Sequence, residues 1–206
     1  MLDQTDRSLI TEEDIRDVSV GETLRIGERA LVTPLAADLA RERHIRLERV
    51  SVAPAKQIQP RAKIAIGADH GGFEMKEALK DLLDELGFPY QDFGTNSNEP
   101  VDYPDFAHAV ALAVSRRTCD LGIMIDGAGI GSCMVANKVP GIRAAMCYDE
   151  VSSRNSREHN GANVLTLGGK MISMDAMRNI VRVWLATNLT EERHRKRVAK
   201  IDALLP

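Results

Sequence analysis

Apolar and polar positions follow one rhythm over most of this chain. From Lys63 onward, short apolar runs at 63–67, 89–93, 121–125, 142–147 and 163–167 read as strands. Stretches with helical spacing separate and follow them, at about 73–86, 103–116, 131–138, 149–158, 173–186 and 191–204. Short apolar strands alternating with helices predict βαβ units and a parallel sheet covered on both faces. Ligands of such sheets bind beyond the carboxyl ends of the strands, near a topological switch point. Asp69 and His70 follow the first of these strands, Asp126 the third, and Tyr148 and Asp149 the fourth. All five are expected to gather at one rim.

Residues 1–50 read as a separate small unit with mixed helix and strand. Thr11-Glu-Glu-Asp is a helix start with acidic residues in its first turn. Leu24-Arg-Ile-Gly reads as a strand, and Thr33-Pro34 opens a second helix running to about Arg43. Ile45-Arg-Leu-Glu-Arg-Val alternates as a half-buried strand does. Residues 51–62 carry two prolines and no periodicity, which predicts a linker to a main domain over 63–206. A front piece of this size is expected to bury little by itself and to pack on the main domain or a partner.

Composition narrows the function classes. The 206 residues, 44% apolar and 28% charged, suit a globular protein, and a net charge of −3 argues against nucleic acid or an anionic membrane as partner. No apolar run approaches the roughly 20 residues of a membrane span, and the first residues lack the pattern of a secretory signal. Cys119, Cys133 and Cys147 are an odd number without metal-ligand spacing, as expected for free thiols in the cytoplasm.

The densest chemistry lies in Asp126-Gly-Ala-Gly-Ile-Gly131. Gly127, Gly129 and Gly131 permit a tight turn from strand to helix and expose amide donors to an anion. A carboxylate beside such a loop is what proton abstraction next to a carbonyl requires. Asp69-His70-Gly-Gly offers a carboxylate and an imidazole after a strand, and reads equally well as helix capping. Asp102-Tyr103-Pro104 reads as a turn opening a helix. His159, at a helix end, suits the helix dipole as well as chemistry. Arg193 and Arg197, four apart on one helix face, could grip one phosphate or form a solvated basic face.

Together these residues resemble the type B ribose-5-phosphate isomerases and their relatives acting on galactose and allose 6-phosphates. Gly-Ala-Asp69-His70-Gly-Gly-Phe, Asp102-Tyr103-Pro104, Gly127-Ala-Gly-Ile-Gly131, Ala136-Asn137-Lys138, Gly141-Ile-Arg143-Ala, Glu158-His159-Asn160 and Arg193-His194-x-x-Arg197 carry the resemblance, over about residues 63–204. It implies a three-layer, Rossmann-like α/β/α domain with a five-stranded parallel sheet, in a homodimer or tetramer whose active sites combine residues of two subunits. It also implies aldose–ketose isomerisation of a sugar phosphate without metal or cofactor. Asp69, His70, Tyr103 and Asn160 would contact the sugar, and His159 would help open its ring. Gly127, Ala128, Gly129 and Gly131 would hold the enediolate, and Arg193 and Arg197 the phosphate.

The chain departs from that family at the base. Many members carry a cysteine where Asp126 stands and a threonine where Ala128 stands; another branch carries a glutamate at Ser132. Three readings stay open: Asp126 is the base, Cys133 reaches the site instead, or proton transfer is lost and the domain only binds. Pentose phosphate is the default substrate, with tetrose, hexose and deoxy-sugar phosphates open. Residues 30–45 resemble short modules on proteins of bacterial microcompartment pathways, which implies an appendage for docking to an assembly. A helix and strand that only extend the surface read equally well.

Overall fold

The structure is a computed structural model that describes residues 2–4, 9–28, 30–50 and 61–204. The chain divides into two compact units, Met1–Gln59 and Pro60–Pro206. The linker expected over 51–62 lies outside the described residues, except for 61 and 62.

The front unit runs β1 (Leu2–Gln4), β2 (Leu9–Ile10), α1 (Glu12–Arg16), β3 (Thr23–Gly27), β4 (Leu31–Val32), α2 (Pro34–Glu42) and β5 (Arg46–Val50). The Thr11 amide donates to Asp14 Oδ2 at 2.8 Å to open α1, and Thr33 Oγ1 accepts from the Ala36 amide at 3.2 Å to open α2. Strands β1, β3 and β5 pair in parallel, as do β2 and β4. The expectation that this piece buries little is overturned. Ile10, Ile15, Val18, Leu24, Ile26, Ala36 and Ala40 are among the members of a core of its own. β1, β2 and β4 escaped the sequence reading because strands of two or three residues are too short to show a period.

The second unit runs β6 (Ile64–Ala68), α3 (Phe73–Leu86), β7 (Tyr90–Asp92), α4 (Tyr103–Ser115), β8 (Leu121–Asp126), α5 (Ile130–Ala136), β9 (Ala144–Met146), α6 (Glu150–Glu158), β10 (Val164–Gly168), α7 (Met174–Ala186) and α8 (Glu192–Asp202). Its strands form one parallel sheet in the order β7-β6-β8-β10-β9. Alternate strand residues face opposite layers. Ile64, Ile66, Ile123, Ile125, Leu165 and Leu167 pack with Leu79, Leu82 and Leu83 of α3 and Met177, Val181 and Trp184 of α7. Ala65, Met124 and Val164 pack with Val110, Ala111 and Val114 of α4 and Ala136 of α5. This is a three-layer α/β/α fold. The chain leaves β6 toward β7 on one side and returns with β8 on the other, so a crevice opens between the carboxyl ends of β6 and β8.

A buried ion pair braces that crevice. Lys76 of α3 is fully buried, and its Nζ lies 2.5 Å from Asp92 Oδ2. Asp92 Oδ1 accepts from the Gly94 amide at 2.9 Å; the Gly94 carbonyl in turn accepts from Ala68, next to Asp69, at 2.6 Å. Burial alone would push the Asp92 carboxyl up, but the ammonium groups of Lys76 and Lys80 and the Gly94 amide outweigh it and hold it below the usual value. Its stabilisation is therefore full above the unfolded value of 3.8 and lost as pH falls through the lower folded value. Lys76 also pairs with Glu77 Oε1 at 2.8 Å, so Asp92→Asn leaves the buried cation one carboxylate partner and is expected to cost about 2 kcal/mol in denaturant unfolding at pH 7. The gap to the parent should close in acid; a gap constant with pH would contradict this account.

Candidate active site

Asp126 ends β8, and its side chain turns back into the loop that follows. Oδ1 accepts from the Ala128 amide at 2.8 Å and from the Gly129 amide; Oδ2 accepts from the Ser132 amide at 3.0 Å and from the Ser132 hydroxyl. The residue is 4% exposed. Four donors fill the acceptor positions of one carboxylate, so the loop is a cradle for an anion, occupied by the chain's own. Gly129 makes the turn possible with φ at +82°, where a side chain would be strained. Strand β10 backs the loop: Thr166 Oγ1 donates to the Gly129 carbonyl at 2.9 Å, and the Gly169 amide to the Asp126 carbonyl at 2.7 Å. The amides of Gly127, Ile130 and Gly131 find no acceptor among the described residues.

Asp69 and His70 stand beside this cradle, at the end of β6. Asp69 is 7% exposed; its Oδ1 accepts from the Gly72 amide at 3.0 Å, so it does part of the capping work. Its Oδ2 accepts nothing among the described residues. His70 Nδ1 lies 3.2 Å from both the amide and the carbonyl of Val101, which fixes the ring. The Tyr103 ring lies over Gly131, where an added Cβ would come within 2.5 Å of it. The sheet thus brings Asp69, His70, Tyr103, Asp126 and the Gly127–Gly131 loop to one crevice.

A cavity of about 250 Å³ at this rim is lined by His70, Glu74, Asn98 and Lys170, of which only His70 was singled out from sequence. Lys170 carried a usable signal: it follows Gly168-Gly169 at the end of a strand, as the other two glycine turns follow theirs. Glu74 and Asn98 carried none.

Other expected residues lie elsewhere. Tyr148 and Asp149 follow β9, which is parallel to β8, so they stand at the same rim as Asp126, as expected; β10 intervenes between β8 and β9 and keeps them one strand away from the crevice. Asp149 is committed to capping α6, accepting from the Ser152 amide at 2.7 Å. The Cys133 thiol lies 3.4 Å from the Ala144 carbonyl and 3.5 Å from the Asn137 amide nitrogen, toward β9.

His159 and Asn160 end α6 just before β10 begins, at the amino rim of the sheet. Strands rise about 3.3 Å per residue, so the five residues of β10 put roughly 16 Å between this rim and the crevice. His159 stacks on His194 of α8, with centroids 4.2 Å apart and planes 17° apart. Arg193 pairs with Glu191 at 2.5 Å, and Arg197 is exposed. Within one chain the expected site residues therefore form two sets, one at each end of the strands. Among the described residues, no cluster of three His, Cys, Asp or Glu side chains is placed to hold a metal ion.

A model of the Ribose/Galactose Isomerase family matches residues 64–201. Ribose-5-phosphate isomerase B of Escherichia coli is 42% identical over 69% of this chain and 95% of its own. D-Erythrulose-4-phosphate isomerase of Pectobacterium atrosepticum is 39% identical over 59% of this chain and 81% of its own. Among solved structures, ribose-5-phosphate isomerase B of Clostridium thermocellum superposes with a TM-score of 0.68 at 48% identity, covering 69% of this chain and 96% of that one.

The cradle makes unequal demands on its members. Ser132→Ala removes one donor of four and should lower the unfolding free energy by about 1 kcal/mol. Asp126→Ala leaves three amides without an acceptor and should cost about 3 kcal/mol. Thermal unfolding checks both; equal costs would contradict the cradle.

Proposed function

Since the chain belongs to the ribose/galactose isomerase family and is a sugar-phosphate isomerase, we propose that it moves a proton between C1 and C2 of an aldose phosphate and its ketose. Ribose 5-phosphate and ribulose 5-phosphate are the default pair. The observation that carries this reading is the Asp126 carboxylate held in a cradle of amides at the switch point, beside Asp69 and His70.

Donors already aimed at an anion need no reorganisation to receive a second one. A substrate oxygen that gains charge as the enediolate forms takes over the amides of Ala128, Gly129 and Ser132. The displaced Asp126 carboxylate is then free to take the proton from the carbon next to the carbonyl and return it to the neighbouring carbon. One exchange of anions thus supplies both the base and the oxyanion site. Asp69, His70 and Tyr103 hold the sugar hydroxyls. Cys133 is the weaker candidate for the base, because its thiol is turned to the Ala144 carbonyl.

The second set completes the site from another copy of the chain. His159 assists ring opening, Asn160 contacts the sugar, and Arg193 and Arg197 bind the phosphate. A separation of roughly 16 Å is too long for one small sugar to bridge within a single subunit. A homo-oligomer with shared sites removes the difficulty. Residues 1–50 serve as an accessory docking module, a role supported by their independent core.

Two experiments test this reading. Incubated in heavy water with tetrose, pentose and hexose phosphates, the protein should place deuterium on one aldose–ketose pair, and the default is the pentose pair. Uptake on the tetrose pair instead would assign the activity seen in the Pectobacterium relative's name; uptake on none would refute isomerisation. For the shared site, Asp126→Asn and the double variant Arg193→Ala/Arg197→Ala should each be inactive alone. Refolded together they should recover about a quarter of parental activity, since each mixed dimer rebuilds one intact site. No recovery in a mixed oligomer would place both sets in one subunit's site.

A further inference from the structure

His194 is buried in a way that ordinary packing does not explain. It lies on the face of α8 that also buries Val198, and its side chain is 4% exposed. Among the described residues, neither ring nitrogen has a hydrogen-bond partner. A buried imidazole with both nitrogens unsatisfied is costly, and a leucine would fill such a position without that cost. What the imidazole does touch is His159, face to face at 4.2 Å.

The charges around His194 are Glu191 at the start of its helix, Arg193 and Arg197 on the helix, and His159 from the end of α6. Glu191 Oε2 stands 3.7 Å from Nε2, beyond hydrogen-bond reach, and is paired with Arg193. Burial first, then His159 and Arg193, hold the His194 imidazole below the ordinary histidine value of 6.5, against the opposing pull of Glu191. The buried ring is therefore a neutral, flat platform at neutral pH.

His159 is fixed on two sides. Its Nδ1 lies 3.0 Å from the Asn155 amide nitrogen. An amide nitrogen only donates, so Nδ1 accepts and the ring proton sits on Nε2. The stack on His194 then sets the plane in which that Nε2–H swings.

We infer that His194 is a positioning residue for sugar-ring opening, holding His159 in the orientation and tautomer that the step needs. This rests on the reading of His159 as the ring-opening group of a shared isomerase site. In the step, Nε2–H gives its proton to the ring oxygen O4 as the C1–O4 bond breaks, and that bond's electrons stay on O4. The bared Nε2 takes the proton of the anomeric hydroxyl as the C1 carbonyl forms. His159 ends as it began, and His194 exchanges no proton.

Ring chemistry gives a clean test. Ribose 5-phosphate is mainly a closed furanose, whereas ribulose 5-phosphate cannot close one because its C5 hydroxyl is esterified. Turnover of the first includes ring opening; solvent-deuterium exchange into C1 of the second does not. In the full-length protein, His194→Ala should lower kcat on ribose 5-phosphate by about tenfold while changing exchange into ribulose 5-phosphate by no more than about twofold. His194→Phe keeps a flat neutral ring and should restore most of the lost kcat. An equal loss on both sugars, or no rescue by phenylalanine, would overturn the assignment. Parent protein inactive on both sugars would instead overturn the isomerase reading, and this role with it.

Discussion

The second unit is organised around a carboxylate that must be satisfied away from water. Asp126 is almost fully buried at the end of the central strand β8, and four donors from the next six residues close on it. That requirement shapes the turn, starts α5 and fixes where the backbone of β10 must lie to support the loop. The neighbouring glycine turns are set by close backbone approach. The Asp69 amide donates to the Ile125 carbonyl at 3.1 Å, and the Lys170 amide to the Gly127 carbonyl at 3.1 Å. Three strand ends are tied together there by main-chain groups, with few side chains between.

This arrangement bears on the aspartate that stands where the resemblance implies a cysteine. Compared with a cysteine at that position, an aspartate is a full anion with two acceptor oxygens, so it can fill an oxyanion cradle from within. On the proposed mechanism, an occupied cradle costs some binding, because the substrate must displace an internal anion, while the donors stay aligned and the proposed base is held beside them. The stacked histidines at the opposite rim follow the same economy on the inference drawn above, one ring holding another.

Much of the sheet was legible in the sequence because its strands are buried on both faces and read as short apolar runs. Their helices are long enough to show a period; the expected 73–86 coincides with α3. Asp69, His70 and the glycine loop were legible as well, because residues at the carboxyl ends of parallel strands share a rim. Strand order was not legible. It depends on long-range pairing, and it is what keeps Asp149 one strand away from the crevice, whereas His159 is separated from it by the length of the strands, because α6 returns the chain to their amino ends. The direction of the Asp126 side chain was also hidden. Spacing marks the residue, but whether the carboxylate faces a substrate or its own loop depends on where the amides of Ala128, Gly129 and Ser132 point.

The central claim is that the carboxylate filling the cradle is also the one that takes the substrate proton. Solvent-deuterium exchange by Asp126→Asn, on whichever sugar phosphate the parent protein labels, tests it most directly, with circular dichroism to confirm that the variant is folded. A folded variant whose exchange falls by a factor of about 10² to 10⁴ is the predicted result. A folded variant that labels its substrate at the parental rate would contradict the account and leave Asp126 an anchor of the loop alone.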